Sequence, residues 1–166
     1  RIEDLSGKEL FDFDPEVEQA ASADSVAELV GAMKQTTQTG TARFLPLLGF
    51  KHPSAGKTGT TNDQKDAWFA GFTPYHTAIV WVGYDDNTSH HLTGASGAVP
   101  IWAQYMKAYA SSFPPDDFVW PEGTDKQSYT QEELLKFGVP EAEFADPKYP
   151  AAPVELIFRE GLAPAH

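Results

Sequence analysis

The chain has 166 residues, no cysteine, 41% hydrophobic and 13% aromatic residues, and a formal net charge of −12. Such length and apolar content suffice for a folded core, while the charge excludes a phosphate-neutralising grip on nucleic acid and a polybasic hold on an anionic membrane. Without cysteine there is no disulfide, thiolate metal site or cysteine nucleophile, and no apolar run approaches the roughly 18 residues that a membrane-spanning helix needs.

Arg1 to Leu5 and Lys8 to Phe13 flank Ser6-Gly7 and predict a β-hairpin. Ala23 to Thr39 reads as a helix, because Val26, Leu29, Val30 and Met33 recur at i, i+3, i+4 and i+7 and stack on one face. Ser22 or Ser25 caps its start, with Ser25-x-x-Glu28 matching a capping box, and Gly40 stands where it ends. After a loop with Pro46, Gly49 and Pro53, three strands are predicted: Ser54 to Thr61, Asp66 to Phe72 and Thr77 to Tyr84. Their short links favour antiparallel pairing, since a parallel crossover needs about a dozen residues or more. The continuous apolar run from Ala78 to Val82 marks the third as a strand covered on both faces. A second helix starts at Pro100, with Trp102, Met106, Tyr109 and Phe113 as its buried stripe, and Pro114-Pro115 ends it. The order helix, three antiparallel strands, helix predicts an α+β fold, an antiparallel sheet packed with helices.

From Pro114 the composition shifts. Residues 114–166 hold 8 of the 13 prolines and carry −7, four basic against eleven acidic residues, whereas residues 1–113 carry −5. The expected division is therefore 1–113 and an acidic, proline-rich tail over 114–166. One short helix is predicted in the tail, Gln131 to Phe137, capped by Thr130-x-x-Glu133 and stopped by Gly138. The rest reads as an extended segment lying on a surface.

Ala55-Gly-Lys-Thr-Gly-Thr-Thr61 is the segment that calls for a chemical reason. Glycine weakens a strand interior and marks close approach by a ligand or another backbone. A lysine flanked by hydroxyls on such a strand suits a carboxylate or another anion. Three readings compete. The first is a solvated lysine on a glycine-rich edge. The second is a phosphate-binding P-loop, which needs glycine where Lys51 stands and a helix where strand signals follow. The third is the Lys-Thr-Gly motif of penicillin-recognising serine enzymes.

The wider string favours the third. Lys57-Thr-Gly-Thr-Thr-Asn-Asp63, Asp66-Ala-Trp-Phe-Ala-Gly-Phe-Thr-Pro74 and Val80-Trp-Val-Gly-Tyr-Asp-Asp-Asn87 closely resemble class A penicillin-binding proteins. Ile2-Glu-Asp-Leu-Ser-Gly-Lys8, Thr39-Gly-Thr-Ala-Arg43 and Gly94-Ala-Ser-Gly-Ala-Val-Pro-Ile-Trp102 are similar to flanking stretches of that family, so the resemblance covers about residues 1–113. It implies part of a β-lactamase/transpeptidase-like fold and a cofactor-free D,D-transpeptidase domain. Such a domain cross-links peptidoglycan stem peptides ending in D-Ala-D-Ala, is acylated by β-lactams, and works on the extracytoplasmic face of the bacterial cytoplasmic membrane. By position, Lys57 would supply charge for the substrate carboxylate and poise the proton relay, and the Thr58 and Thr60 hydroxyls would bind that carboxylate. The Thr60 N–H would be one arm of the oxyanion hole, and Gly59 would let the substrate lie along the strand; Thr61 is counted with the substrate-binding residues.

The family's other two motifs are missing. Ser54-Ala-Gly-Lys57 has the letters of Ser-x-x-Lys, but that motif opens a helix, and on a strand residues i and i+3 point to opposite faces. No Ser-x-Asn occurs. The expectation is the C-terminal half of a transpeptidase domain, with the nucleophile, membrane anchor and glycosyltransferase domain upstream of Arg1. This piece would be inactive alone and would meet a companion chain carrying the rest, or pair with itself along the exposed strand edge. In the family fold the third strand pairs with one from the domain's beginning, so Thr77 to Tyr84 should lack that neighbour. The rival reading from another class is a noncatalytic module that captures a peptide or carboxylate.

The remaining candidates are read as structural. His52, His76, His90, His91 and His166 make no metal set, with His90 and His91 in a solvated loop, and Asp85-Asp86-Asn87 is a strand-ending turn. Trp68, Trp81 and Trp102 are expected to pack the sheet against the helices, and Trp120 to anchor the tail. Asp66 is a structural ion-pair partner whose mate the sequence does not name.

Overall fold

The computed structural model of the chain describes residues 2–12, 18–139 and 153–164. An N-terminal hairpin pairs β1 (Ile2–Glu3) antiparallel with β2 (Glu9–Phe11), as the sequence predicts; Arg1 and Phe13 lie outside the described residues. Helix α1 spans Ala23–Gln38, and the N–H of Gly40 turns back to the Gln35 carbonyl at 2.7 Å to close it. Ser22 is its N-cap residue but makes no side-chain cap; its hydroxyl donates to Ser25 Oγ at 2.9 Å. The expected Ser25–Glu28 capping box is absent, because Ser25 already lies inside the first turn.

Three antiparallel strands follow in the order β3-β4-β5: β3 Ala55–Thr60, β4 Asp66–Phe72 and β5 Thr77–Gly83. Their register sets two faces, since cross-strand partners share a side. The rows Gly56–Gly71–Ala78, Thr58–Phe69–Val80 and Thr60–Ala67–Val82 form one face, and Lys57–Ala70–Ile79 and Gly59–Trp68–Trp81 belong to the other.

Helix α2 (Val99–Tyr109) covers the first face. A π-type turn over Gly94–Ala98 leads into it, with Thr93 and Ser96 forming a capping box, and Pro100 sits in the first turn. Trp102 is fully buried, edge-on to Phe50 and Phe69 with ring centroids at 5.3 and 5.2 Å. Its indole N–H is shared between the carbonyls of Gly71 (3.2 Å) and Ala78 (3.1 Å), which ties the helix to β4 and β5 at once. Met106 is buried beside it, whereas Tyr109 is exposed and Phe113 half-buried, so the predicted stripe sinks only at its first half.

The other face corrects two expectations. Among the described residues β5 is an edge strand whose Thr77, Ile79 and Trp81 are exposed, not a strand covered on both sides. Trp68 and Trp81 do not pack against a helix; they pair on the open face with centroids 6.1 Å apart.

The tail is more ordered than an extended segment. β6 (Thr124–Tyr129) pairs antiparallel with β7 (Val154–Arg159), and α3 (Gln131–Lys136) carries the predicted Thr130–Glu133 capping box. Tyr129, Leu134 and Ile157 are buried there. β7 runs along α1. Arg159 meets Asp24 at 3.0 Å and Ser25 at 2.6 Å, and its N–H donates to Glu28 at 3.0 Å. A Cβ on Gly31 would come within 2.8 Å of Ile157, and Gln35 donates to the Glu155 carbonyl. Asp24, Glu28, Gly31 and Gln35 are spaced four, three and four, a single helix face. At 3.6 residues per turn, Val26, Leu29 and Met33 lie on roughly the opposite side. Val26 and Leu29 are exposed, Leu29 by 61%, so the apolar stripe is not the face this chain buries.

Beneath this docked strand, Lys34 is 5% exposed. Its ammonium meets both Asp117 carboxylate oxygens at 2.6 and 2.7 Å, and the rings of Phe118 and Trp120 lie 5.7 and 5.5 Å away. Phe118 also packs edge-on against Phe72 of β4. Trp120 thus anchors the tail as expected, through a buried cation on α1.

Candidate active site

Lys57, Thr58, Gly59 and Thr60 occupy β3, which has a strand partner on only one side among the described residues. The Thr58 and Thr60 hydroxyls project on the α2 side of the sheet, and Lys57 and Gly59 on the other. Lys57 is exposed, with its ammonium on the Thr58 carbonyl at 2.8 Å and no carboxylate partner among the described residues. Thr61 lies just past β3, and its Oγ1 accepts the N–H groups of Lys65 (3.1 Å) and Asp66 (2.9 Å), closing the turn into β4.

The two bracketing glycines have different physical reasons. A Cβ on Gly56 would meet Ala70 O and the Phe69 ring at 2.7 Å, so core packing alone demands glycine there. On Gly59 the nearest atom would be Trp68 Cβ at 3.3 Å, a tight but minor contact, which leaves the outer surface of the strand open to another backbone.

Two groups missed in the sequence complete the site. Thr41 Oγ1 lies 2.9 Å from Thr58 Oγ1, and the Gly94 N–H donates to Thr60 Oγ1 at 2.9 Å. Gly94 reaches that position because it has no side chain: a Cβ would fall 2.5 Å from Trp68 O and 2.7 Å from Gly59 O. Thr41 lies in Thr39-Gly-Thr-Ala-Arg43 and Gly94 in the segment opening at Gly94, so the signal was present as spacing without a contact to interpret it. Thr37 also fixes the strand's start, donating to the buried Ser54 carbonyl at 2.6 Å.

The other candidates are structural. Asp66 is held by a hydrogen bond and not by the expected ion pair: the Trp81 indole N–H donates to its Oδ1 at 2.9 Å. His90 is not a solvated loop residue: its Nδ1 accepts the Leu92 N–H at 3.0 Å, which leaves the Nε2 proton for the Val82 carbonyl at 3.1 Å. His91 is exposed, and His166 lies outside the described residues. Asp86 closes its turn on Thr88, whose side-chain and backbone hydrogen bonds hold its carboxyl below the ordinary 3.8. No group of three or more His, Cys, Asp or Glu able to hold a metal occurs among the described residues. A cavity of about 440 Å³ lies between the end of α1 and the tail, lined by Arg43, Lys51, His52, Asp117 and Glu155, but none of residues 57–61 opens into it. The arrangement on β3 is an open strand edge with two hydroxyls on one side and a cation on the other, groups suited to a carboxylate lying along the edge, without a facing wall in the described residues.

No family model matches the chain. Among curated proteins, it is 42% identical over 122 residues to penicillin-binding protein 1B of Vibrio cholerae, which is 72% of this chain and 15% of that protein. It is 40% identical over 123 residues to penicillin-binding protein 1A of Aquifex aeolicus, 73% of this chain and 17% of the relative. Among solved structures, the 2.6 Å crystal structure of penicillin-binding protein 1A from Haemophilus influenzae superposes with a TM-score of 0.65 at 25% identity, covering 88% of this chain and 22% of that one. The chain therefore spans under a fifth of the length of the curated relatives named here.

Proposed function

This chain is homologous to the penicillin-binding transpeptidase region of class A penicillin-binding proteins, and from that premise we propose that it supplies the Lys-Thr-Gly strand of a peptidoglycan D,D-transpeptidase site. The observation that carries the proposal is the edge strand β3, which presents Lys57 and the hydroxyls of Thr58 and Thr60 with no carboxylate beside them among the described residues.

In this reading the stem peptide lies along β3 as an added strand, with Gly59 giving its backbone room. Its terminal carboxylate is held by the Thr58 and Thr60 hydroxyls and the Lys57 charge. A serine outside the described residues attacks the D-Ala-D-Ala carbonyl carbon, and the carbonyl electron pair moves to oxygen. The Thr60 N–H stabilises that oxyanion, a kind of donor worth about 2.7–4 kcal/mol in the transition state. Collapse expels the last D-Ala as an amine that takes up a proton, and an acceptor amine then displaces the serine from the acyl-enzyme. β-Lactams acylate the same serine. The setting is the extracytoplasmic face of the bacterial cytoplasmic membrane. The open face of Trp68, Ile79 and Trp81, the stripe of Val26 and Leu29, and the free edge of β5 are where the rest of the domain, or a companion polypeptide carrying it, would pack.

Fluorescent penicillin labelling of the full-length enzyme tests the assignment. Label is expected on a serine outside this segment, with Lys57→Ala slowing acylation about a hundredfold or more. Wild-type acylation by Lys57→Ala overturns the role of Lys57. Binding of stem peptide with no acylation at all would instead support a noncatalytic carboxylate-capturing module.

A further inference from the structure

A threonine hydroxyl has one proton to donate. For Thr58 and Thr60 to donate to a substrate carboxylate, which only accepts, each oxygen must receive its internal hydrogen bond rather than give it. The Gly94 N–H can only donate, so the 2.9 Å contact leaves the Thr60 proton free. The partner of Thr58 is another hydroxyl, Thr41 Oγ1 at 2.9 Å, and between two hydroxyls either can be the donor. A bound carboxylate resolves the choice: with the Thr58 proton drawn to the anion, Thr41 must give its own proton to Thr58 Oγ1.

We infer that Thr41 is a positioning residue for the carboxylate subsite, acting through Thr58, and that Thr41 and the Gly94 amide form a paired donor layer behind the two substrate-facing hydroxyls. Hydrogen bonds in a chain polarise one another, so a donor behind Thr58 strengthens the bond in front of it. The geometry places this layer on rigid ground. Thr41 lies just past the Thr39-Gly40 end of α1, whose Thr37 is bonded to Ser54, the residue before the same strand. Gly94 sits in a turn held by the Thr93–Ser96 capping box. The inference rests on the proposed carboxylate role of Thr58 and adds to it a requirement for a donor at position 41.

The test compares second-order acylation rates of the full-length enzyme and its variants with a penicillin and with the methyl ester of that penicillin. Thr41→Val is expected to slow acylation by the free acid about tenfold, the effect of roughly one neutral hydrogen bond. It should leave the slower ester reaction unchanged, while Thr41→Ser restores the free-acid rate to within about twofold. Because both substrates are measured on the same folded fraction, the acid-to-ester ratio holds even if Thr41→Val lowers the amount of folded enzyme. An unchanged ratio in Thr41→Val, or a Thr41→Ser enzyme as impaired as Thr41→Val, overturns the inference. Lys57→Ala separates the two levels of the argument. If it acylates at the wild-type rate, the underlying site assignment fails; if it is slow while Thr41→Val keeps the wild-type ratio, only the donor layer fails.

Discussion

Lys34 and Asp117 meet at 2.6 Å across 83 positions of sequence, and the lysine side of the pair is buried while the aspartate is half in solvent. Breaking a fully buried pair costs about 3–5 kcal/mol, and solvent around Asp117 reduces that figure. Lys34→Met, which keeps the aliphatic stem, is expected to destabilise the protein by about 1–2 kcal/mol and to expose residues 114–139 and 153–164 to protease. Unchanged urea midpoint and cleavage pattern would show that the aromatic contacts and the docking of β7 on α1 hold the tail without this pair.

At Gly94 the expected effect is larger and local. An added methyl would sit 2.5 Å from the Trp68 carbonyl oxygen, so Gly94→Ala must move the turn away from β3 and take its N–H off Thr60. Acylation by β-lactams should fall by about tenfold or more, with a smaller loss in thermal stability. The measurement is single-turnover acylation beside a melting curve, and a normal rate would mean that the turn absorbs the methyl without losing the contact.

The tether at the start of α1 is sensitive to acid. The Ser22 hydroxyl, the Ser25 N–H and the Arg159 charge hold the Asp24 carboxyl below its ordinary 3.8, in that order of importance. A carboxyl depressed in the folded state contributes stability that is present above the unfolded value and lost as pH falls through the folded one. The contribution of Asp24 should therefore be constant from neutral pH to about pH 5, and be lost as pH falls below 3.8 through the lower folded value. Urea midpoints of wild type and Asp24→Asn should converge over that window, and parallel curves down to pH 2 would contradict the assignment.

The bare stripe of α1 gives a fourth expectation. With Leu29 61% exposed, the contacts within this chain predict that Leu29→Ala costs under about 0.5 kcal/mol. If the rest of a transpeptidase domain covers the stripe in the full-length enzyme, the same change should cost about 2–4 kcal/mol. Melting of the full-length variant decides it.

The same helix shows what a sequence can and cannot reveal. Its existence and ends were legible from apolar spacing and Gly40, yet the residues it buries are Ala27, Gly31, Lys34 and Thr37. Periodicity finds an apolar face; it does not say whether this stretch of chain supplies the cover. The three central strands were legible because short turns connect them. β6 and β7 were not, because Thr124–Ser128 is polar and 24 residues separate the end of β6 from its partner. Trp68 and Trp81 show the same limit in a sheet, since alternation sorts side chains into two faces without telling which one meets a helix. Lys57, Thr58, Gly59 and Thr60 were legible as a string, while Thr41 and Gly94 depend on folding distant segments onto that string.

Arg159 reaches Ser25 over 134 positions, so β7 closes one of the longest loops in the chain. Such contacts form late, because the entropy of closing a long loop must be met before they stabilise anything. Arg159→Ala should accordingly speed unfolding and leave the refolding rate nearly unchanged, the kinetic signature of a contact absent from the transition state. The α1 helix would then assemble early as secondary structure and receive its final partner only after the strand at residues 154–159 has docked, which makes the tail a latch on a helix rather than part of its nucleus.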